Sequence, residues 1–247
     1  MHETSRGNGG RAGSRKSVVL AHSSDLHIDD EVVKGPDNGL VGLGLVFDAA
    51  RRAAADVILL AGDTFDNLRV SQTILTAAVD LLASAPVPVV LLPGNHDPSL
   101  DDCLYRRSGL CDMTSIHVVG ISQAEPIVFE DLDLEILGVP HKSYGDMPPL
   151  SPARRRGARW QVVMAHGHYV PLAEWEEQSH RSWRISDAAL AATGADYIAL
   201  GHWDRPSRVG DGTVAAYYSG SPDLAKTINV VRLDEAVGVT VARAPIR

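Results

Sequence analysis

The sequence predicts an α/β protein with a mostly parallel sheet. In the first half of the chain, three short apolar, β-branched runs alternate with two longer segments of helical periodicity, which is the pattern of βαβ units. Polar residues of the kinds that bind metal ions follow five of the apolar runs along the whole chain. In open α/β sheets, ligands bind beyond the carboxyl ends of the strands. We therefore expect one functional edge, where these strands end.

The elements of the first half follow from their periodicities. The predicted strands are 17–21, 56–61 and 87–92, and the predicted helices between them are 40–55 and 70–85. In the second helix Ile74, Ala78 and Leu81 recur at helical spacing. Segment 99–120 is less regular.

The second half predicts further strands and one helix. The strands are 127–130, 134–139, 161–165, 196–200, 214–218, 228–233 and 237–242, and the helix is 186–193. The first two of these strands are expected to form a hairpin across 131–133, and the last three to be antiparallel. Ser186 is the expected N-cap of the helix and Gly194 closes it.

Composition indicates a globular protein with one domain. The 247 residues are 45% hydrophobic and 22% charged, and no apolar run approaches the roughly 18 residues of a membrane span. Residues 1–16 hold four basic side chains among glycine and serine without an apolar segment, which excludes a secretory signal and predicts a disordered N-terminal leader. We expect residues 17–247 to form a single domain.

Charge and cysteine content restrict the function classes. The formal net charge of −8 argues mildly against a general nucleic-acid binder, although carboxylates that hold metal ions contribute to this sum. Cys103 and Cys111 lack a CxxC spacing, so neither a disulfide framework nor a zinc ribbon is indicated. We expect a cytoplasmic protein without membrane association.

Five predicted strands end in ligand-type residues. These are Asp25 and His27, Asp63, Asn95 and His96, His166, and His202 and Asp204. A single histidine of this kind is usually an ordinary loop or core residue, but five coincidences at strand ends indicate a site. Carboxylate, imidazole and amide donors without cysteine suit borderline to hard divalent ions. There are more donors than the three that one catalytic zinc takes, which favours two ions.

These motifs resemble, in order, those of the calcineurin-like metallophosphoesterases. The matching segments are Asp25-x-His27, Gly62-Asp63-x-x-Asp66, Gly94-Asn95-His96-Asp97, His166-Gly167 and Gly201-His202-x-Asp204. The resemblance extends from about residue 17 to about residue 233 and implies a four-layer α/β/β/α sandwich. Segments 24–27, 197–202 and 218–222 are most similar to the SbcD-type nuclease subunits of DNA repair complexes.

The resemblance implies a role for each motif residue. Asp25, His27 and Asp204 would hold a first ion, Asn95, His166 and His202 a second ion, and Asp63 would bridge the two. His96 would donate a proton to the leaving oxygen, and the Asp66 carboxylate would orient His96.

One position departs from the family pattern. The family usually has Gly-His-x-His where this chain has Asp204. An aspartate can still bind a metal ion, and it would favour manganese or magnesium over zinc at the first site. We therefore expect two divalent ions, with Mn²⁺ preferred and Mg²⁺, Fe or Zn²⁺ as alternatives. If Asp204 points away instead, the first ion would bind weakly.

Two further features have open interpretations. His168 follows His166 by two residues, so in an extended segment both face the same side; it would contact a substrate phosphate or be a rim histidine. Segment 174–183 is acidic and aromatic, and it would shape substrate entry or be a half-buried surface helix.

The predicted function is metal-dependent hydrolysis of a phosphate ester. The leading substrate is DNA, cleaved from its ends, and the resemblance allows a homodimer. Nucleases of that type usually continue into a capping domain and an ATPase-docking segment; here only a short tail follows Leu233, so both are expected to be missing. The alternatives are a stand-alone phosphodiesterase or phosphatase for a nucleotide or other small ester, and a metal-stabilised binding protein without catalysis.

Overall fold

Two six-stranded sheets carry the structure, a computed structural model that describes residues 17–30, 38–122 and 126–247. The strands are β1 (Ser17–Ser23), β2 (Val57–Ala61), β3 (Val89–Leu92), β4 (Ile116–Val118), β5 (Ile127–Phe129), β6 (Leu134–Gly138), β7 (Trp160–His166), β8 (His168–Tyr169), β9 (Arg184–Ile185), β10 (Tyr197–Gly201), β11 (Ser207–Val209), β12 (Ala215–Tyr218), β13 (Thr227–Asp234) and β14 (Gly238–Pro245). The α-helices are α1 (Leu40–Arg52), α2 (Gln72–Ala83), α3 (Leu104–Arg107), α4 (Asp187–Ala192) and α5 (Pro222–Ala225). Short 3₁₀ turns span Leu110–Asp112, Glu130–Leu132 and Leu172–Glu174.

The two sheets have similar architectures. The first has the order β14-β13-β1-β2-β3-β4, in which β1 to β4 are parallel and β13 and β14 are antiparallel to their neighbours. The second has the order β11-β12-β10-β7-β6-β5, with a parallel centre and antiparallel edge strands. Strands β8 and β9 form a separate parallel pair. The parallel strands of each sheet therefore end along one side.

Three apolar clusters define the layers. The first lies between the helices α1 and α2 and the outer face of the first sheet, and it includes Phe47 and Leu75. The second lies between the two sheets and includes Leu59 and Val162. The third covers the outer face of the second sheet under α4, around Leu190. The order helix, sheet, sheet, helix confirms the expected four-layer sandwich.

Local sequence signals explain several element boundaries. The Ser71 hydroxyl accepts a hydrogen bond from the Ile74 N–H (3.3 Å) and caps α2. The Ser186 hydroxyl accepts from the Ala189 N–H (3.1 Å), which confirms the expected N-cap of α4. Gly194 follows α4 with a φ of +61°, a left-handed conformation that ends a helix readily only at glycine.

One prediction about the sheets was wrong. Segment 214–218 was expected to pair antiparallel, but β12 is parallel to β10 and antiparallel only to β11. The short strand β11 reverses the chain before β12, so β12 runs in the same direction as β10. The less regular segment 99–120 contains the short strand β4, which extends the parallel part of the first sheet beside β3. By contrast, the hairpin of β5 and β6 is confirmed.

Cys103 and Cys111 are both free thiols. Within the described ranges, none of the helices combines the length and apolar character needed to cross a bilayer. The expected leader, residues 1–16, lies outside the described residues.

Core packing between the sheets should dominate stability. Leu59 of β2 is fully buried in the cluster between the sheets, whereas Leu172 is 79% exposed. We expect Leu59→Ala to lower the free energy of unfolding by about 2–5 kcal/mol, because it leaves a cavity between two rigid sheets. The control Leu172→Ala should change it by less than about 0.5 kcal/mol. Urea unfolding followed by circular dichroism measures both, and equal effects would contradict this assignment of the core.

Candidate metal centre

The loops after the parallel strands meet at one edge shared by both sheets. The Asp25 N–H donates to the Gly62 carbonyl (3.0 Å), and the His27 N–H donates to the Asp63 carbonyl (3.0 Å). These bonds continue the pairing of β1 and β2 beyond the strands. Across the sheets, the His202 N–H donates to both carboxylate oxygens of Asp25 (3.0 and 3.1 Å). The predicted strand-end residues are therefore brought together by backbone contacts.

Glycines allow this close approach. A Cβ at Gly201 would lie 1.8 Å from the Ala61 carbonyl oxygen of the other sheet. A Cβ at Gly94 would lie 2.2 Å from an Asp63 carboxylate oxygen. Both distances are far below contact distance, so only a residue without a Cβ fits at either position. The glycines of the Gly-Asn-His and Gly-His motifs thus have a steric role at the centre.

Four of the predicted ligands have left-handed backbone conformations. The φ angles are +56° at Asp25, +49° at His27, +50° at Asp63 and +106° at His202. Such conformations are uncommon for non-glycine residues and cost about 1–3 kcal/mol each. Strained residues of this kind concentrate at functional sites, where the surrounding structure holds them in place.

Two groups of potential metal ligands share one carboxylate. Ligand atoms of Asp25, His27 and Asp63 all lie within 4.8 Å of one another, and so do ligand atoms of Asp63, His166 and His202. Asp63 belongs to both groups. This is the arrangement expected of a carboxylate that bridges two ions.

The contacts of His166 bring Asn95 to the second group. The Nε2 atom of His166 lies 3.0 Å from Asn95 Oδ1 and 3.1 Å from Asp63 Oδ2. Its Nδ1 atom lies 2.9 Å from the Ala61 carbonyl and donates to it, so Nε2 is the nitrogen directed at the centre. The other Asp63 oxygen accepts from the His96 N–H (3.0 Å).

Burial and neighbouring charges control the protonation of the centre. Burial acts to lower the pKa of His166, but the charges of Asp63 and Asp25 outweigh it and raise that pKa to about 10. Burial acts to raise the pKa of Asp63, but His166 holds it well below its usual range. Burial raises the pKa of Asp25 and lowers that of His202 to about 3. His166 is therefore the imidazolium that balances the buried carboxylates.

The donor set fits divalent cations. Asp25 is 5% exposed and Asp63 is 2% exposed. Among the described residues, no lysine or arginine forms an ion pair with either of them. Buried charges in proteins are paired or coordinate metal ions. Carboxylate, imidazole and amide donors without thiolate suit Mn²⁺, Mg²⁺, Fe or Zn²⁺ better than a soft ion.

Asp66 contacts both His27 and His96. Its carboxylate Oδ1 accepts from His27 Nδ1 at 2.8 Å and lies 3.6 Å from His96 Nδ1, within ion-pair distance. The Asp66 backbone carbonyl accepts from His96 Nδ1 at 2.7 Å. The carboxylate is therefore closer to the predicted ligand His27 than to His96, and the main chain of the same residue also holds His96.

Asp204 is not brought to the centre. Within the described ranges, it belongs to none of the groups whose ligand atoms lie within 4.8 Å of one another. Its backbone carbonyl accepts from the Ser221 N–H (3.1 Å), which fixes the loop after β10. Its role as a ligand of the first ion therefore stays a prediction.

His168 lies beside the centre. It belongs to none of the ligand groups found in the described part of the chain. Its ring centroid is 5.9 Å from that of His202, and its Nδ1 accepts from the Trp203 indole N–H (3.0 Å). His168 is therefore placed as a neighbour of the second ligand group.

Asp97 supports the centre, a role that the motif pattern did not predict. Its buried carboxylate accepts from the Gly94 N–H (2.7 Å), the Phe65 N–H (3.0 Å) and the Tyr105 hydroxyl (2.6 Å). Burial raises its pKa to about 6. Asp97 thereby joins the loops after β2 and β3. The sequence signal for this role was the spacing of three residues between Gly94 and Asp97, because a carboxylate at that spacing can accept from a backbone N–H of the same loop.

His141 also supports the centre, and it follows no recognisable motif. It is fully buried, and its Nε2 donates to the His166 carbonyl (2.8 Å). Its ring contacts Trp183 at a centroid distance of 5.1 Å. His141 therefore fixes the end of β7, and its ring also packs edge-on against that of His166 at a centroid distance of 5.7 Å.

Comparison with known proteins identifies the family. A family model for calcineurin-like phosphoesterases matches residues 18–206. The chain belongs to the calcineurin-like phosphoesterase family. This phosphoesterase is also 26% identical over 202 residues to the SbcD subunit of the nuclease SbcCD from Bacillus subtilis strain 168. The match covers 68% of the chain and 51% of that protein, so the phosphoesterase spans about half the length of this relative.

Solved structures support the same fold. The protein TT1561 of Thermus thermophilus superposes on the phosphoesterase with a TM-score of 0.55 at 14% identity, covering 93% of this chain and 99% of TT1561. A putative 5′-nucleotidase from Staphylococcus aureus, in complex with alpha-ketoglutarate, superposes with a TM-score of 0.53 at 13% identity, covering 93% of this chain and 54% of that one. Family and fold together establish a metal-dependent phosphoesterase.

The Asp66 carboxylate should support the first ion through His27. We expect Asp66→Ala to weaken binding of the first Mn²⁺ by about 10–100-fold, because a ligand histidine loses the partner that orients it. The exposed Asp101 provides the control Asp101→Ala, which should bind both ions normally. Calorimetric titration of the metal-free variants measures this. Normal binding of both ions by Asp66→Ala would show that His27 does not need this contact.

Metal binding should release a proton from His166. Near neutral pH the raised pKa keeps His166 protonated in the metal-free protein, and the nitrogen that binds an ion must lose its proton. We expect about one proton to be released, and affinity to rise about tenfold per pH unit while the pH remains below that pKa. Calorimetry with Mn²⁺ in two buffers of different ionisation enthalpy counts the proton. His166→Gln should reduce the count, and a count near zero in the unchanged protein would contradict the assignment.

Proposed function

We propose that this chain is a two-metal phosphodiesterase that cleaves DNA from its ends. The observation that carries the proposal is the Asp63 carboxylate, which is shared by two ligand groups at the strand-end edge. Two ions about 3.5–4 Å apart hold the attacking and leaving oxygens of an in-line displacement at phosphorus. A single-ion centre would not need a shared carboxylate.

The ligand assignment follows the two groups. Asp25 and His27 would hold the first ion, Asn95, His166 and His202 would hold the second, and Asp63 would contribute to both. We propose Mn²⁺ as the ion at both positions, because oxygen and imidazole donors without thiolate suit it. Asp204 belongs to neither group and is proposed only as an additional ligand of the first ion.

His96 is the proposed proton donor. Its side chain is 40% exposed, so it is open to a substrate. Its Nδ1 donates to the Asp66 carbonyl (2.7 Å), which leaves Nε2 for the leaving oxygen of the ester. When bound, the ions would supply a hydroxide nucleophile and charge neutralisation. His96 in its imidazolium form would give the Nε2 proton to the leaving alkoxide and keep the Nδ1 proton on the Asp66 carbonyl. General-acid catalysis of this kind contributes about 10²–10⁴-fold in rate.

The similarity to the SbcD subunit of the nuclease SbcCD supports DNA as the substrate. A second candidate is a stand-alone phosphodiesterase or phosphatase for a nucleotide or another small ester. The net charge of −8 favours this candidate, because surfaces that bind nucleic acid are usually basic. We also propose a cytoplasmic location, since both cysteines are free thiols.

Turnover of a diester by the manganese-loaded protein tests the proposal. Linear duplex DNA, single-stranded DNA and bis-p-nitrophenyl phosphate are offered in parallel. We expect His96→Ala to keep its metal and to lose about 10²–10⁴-fold in turnover. Asp63→Asn should lose most metal and nearly all activity, because it weakens both ligand groups. His117→Ala is the control, since His117 lies in β4 and contacts Phe129.

Each outcome has a distinct meaning. Degradation of DNA together with the diester supports the nuclease. Turnover of the diester with DNA intact supports the small-ester enzyme instead. Metal binding without turnover of any ester would leave a metal-stabilised binding protein and overturn the proposal. Loss of metal in His96→Ala would overturn the role given to His96.

A further inference from the structure

A small pocket opens beside the second ligand group. We call it the His168 pocket; its volume is about 280 Å³, and it is lined by His168, His180, Arg181, Ser182, Trp183 and His202. It shares His202 with the metal centre, so a substrate held at the centre can reach into it. The metal chemistry described above does not use its other five residues.

The lining of the His168 pocket suits an anion. It contains a guanidinium, imidazoles, a hydroxyl and an indole, and no carboxylate. Among the described residues, Arg181 makes no ion pair, and its guanidinium carries five N–H donors. Glu174, Glu176 and Glu177 lie earlier in the same loop, but none of them lines the pocket. Phosphate is the anion that a guanidinium recognises with paired hydrogen bonds.

A fixed hydrogen bond gives His168 a defined donor. The indole N–H of Trp203 lies 3.0 Å from His168 Nδ1. Because an indole nitrogen can only donate, Nδ1 must accept, and the ring proton is on Nε2. Trp203 is itself held by stacking on Tyr218, with ring centroids 4.6 Å apart and planes 7° apart. His168 therefore presents its Nε2–H donor from a rigid support, beside the Gln178 side chain, which also hydrogen-bonds to His168; a bound phosphate would take the place of that amide.

Trp183, whose carbonyl accepts from the His168 N–H (2.9 Å), is also held rigidly in the pocket lining. Trp183 has a φ of +53°, which is costly for a bulky residue. Its backbone N–H donates to an Asp146 carboxylate oxygen (2.6 Å), and its indole N–H donates to the Gly145 carbonyl (2.9 Å). A Cβ at Gly167 would lie 2.4 Å from the Trp183 carbonyl oxygen. Strain of this kind is retained where the local geometry serves a function.

We propose that the His168 pocket binds a second phosphate of the substrate, next to the phosphate that is cleaved. Arg181 and the Nε2–H of His168 contact this phosphate. The proposal rests on the proposed function, and it specifies the substrate as a nucleotide chain with at least two phosphates. A simple diester such as bis-p-nitrophenyl phosphate leaves the pocket empty.

Three dinucleotides test this directly, because they differ only in a terminal phosphate. They are d(TpT), d(pTpT) and d(TpTp), and the readout is kcat/KM for each with the manganese-loaded protein. We expect one phosphorylated dinucleotide to exceed d(TpT) by about tenfold, mainly through KM, which corresponds to about 1.4 kcal/mol. In Arg181→Gln this ratio should fall to about one. His168→Ala should lower the ratio, and His168→Gln should restore part of it, because the amide of glutamine can replace the Nε2–H donor.

The control removes the same charge outside the pocket. Arg155 is exposed and does not line the pocket, so Arg155→Gln should keep the wild-type ratio. The proposal is overturned if the wild-type protein shows no preference for either phosphorylated dinucleotide. It is also overturned if Arg181→Gln keeps the preference or if Arg155→Gln loses it equally.

A binding measurement separates this proposal from the proposed function. Quenching of tryptophan fluorescence in the metal-free protein reports binding of the same dinucleotides, since Trp183 lines the pocket. The preferred phosphorylated dinucleotide should bind several-fold more tightly than d(TpT), and Arg181→Gln should abolish this difference. If no ester is hydrolysed, the proposed function fails, and the binding measurement alone decides whether the His168 pocket binds a phosphate. If diesters are hydrolysed without any preference, the proposed function stands and this proposal fails.

Discussion

The buried carboxylate of Asp63 is the constraint on which the rest of the centre depends. It is 2% exposed, and a negative charge at that depth needs compensation from its surroundings. The surroundings provide the His96 N–H at 3.0 Å and the His166 imidazolium at 3.1 Å. The absence of a side chain at Gly94 leaves room for the carboxylate. Residues that look like separate motifs in the sequence are thus parts of one environment around one charge.

The centre also depends on how the two sheets pack. Asp63 and Asn95 follow strands of the first sheet, whereas His166 and His202 belong to strand ends of the second. A shift of one sheet against the other would separate the two halves of the ligand set. The apolar layer between the sheets therefore contributes to the site as well as to stability, and His141 adds a polar contact to the end of β7.

The sequence predicted the elements whose hydrophobic periodicity or motif lies within one short segment of the chain. The parallel strands β1 to β3, the helices between them and the polar strand ends were all predicted, because each has its own periodicity or motif. Strands β4, β8, β9 and β11 have two or three residues, too few for a periodicity, and their pairing is decided by tertiary contacts. For the same reason the direction of β12 was missed. The partner of Asp66 depends on a difference between 2.8 and 3.6 Å, which no residue spacing reveals. The support from Asp97 likewise depends on loop geometry.

The pairing of β1 has a consequence for biosynthesis. One edge of β1 pairs with β2, which follows it closely, but the other pairs with β13, where Ser17 lies opposite Asp234. The chain emerges from the ribosome with its N-terminal part first, so the β13 edge of β1 stays open until residues 227–234 have been made. An open strand edge can pair with other chains, and contacts of such long sequence separation form slowly. Nascent chains should therefore depend on chaperone protection of this edge until β13 is synthesised.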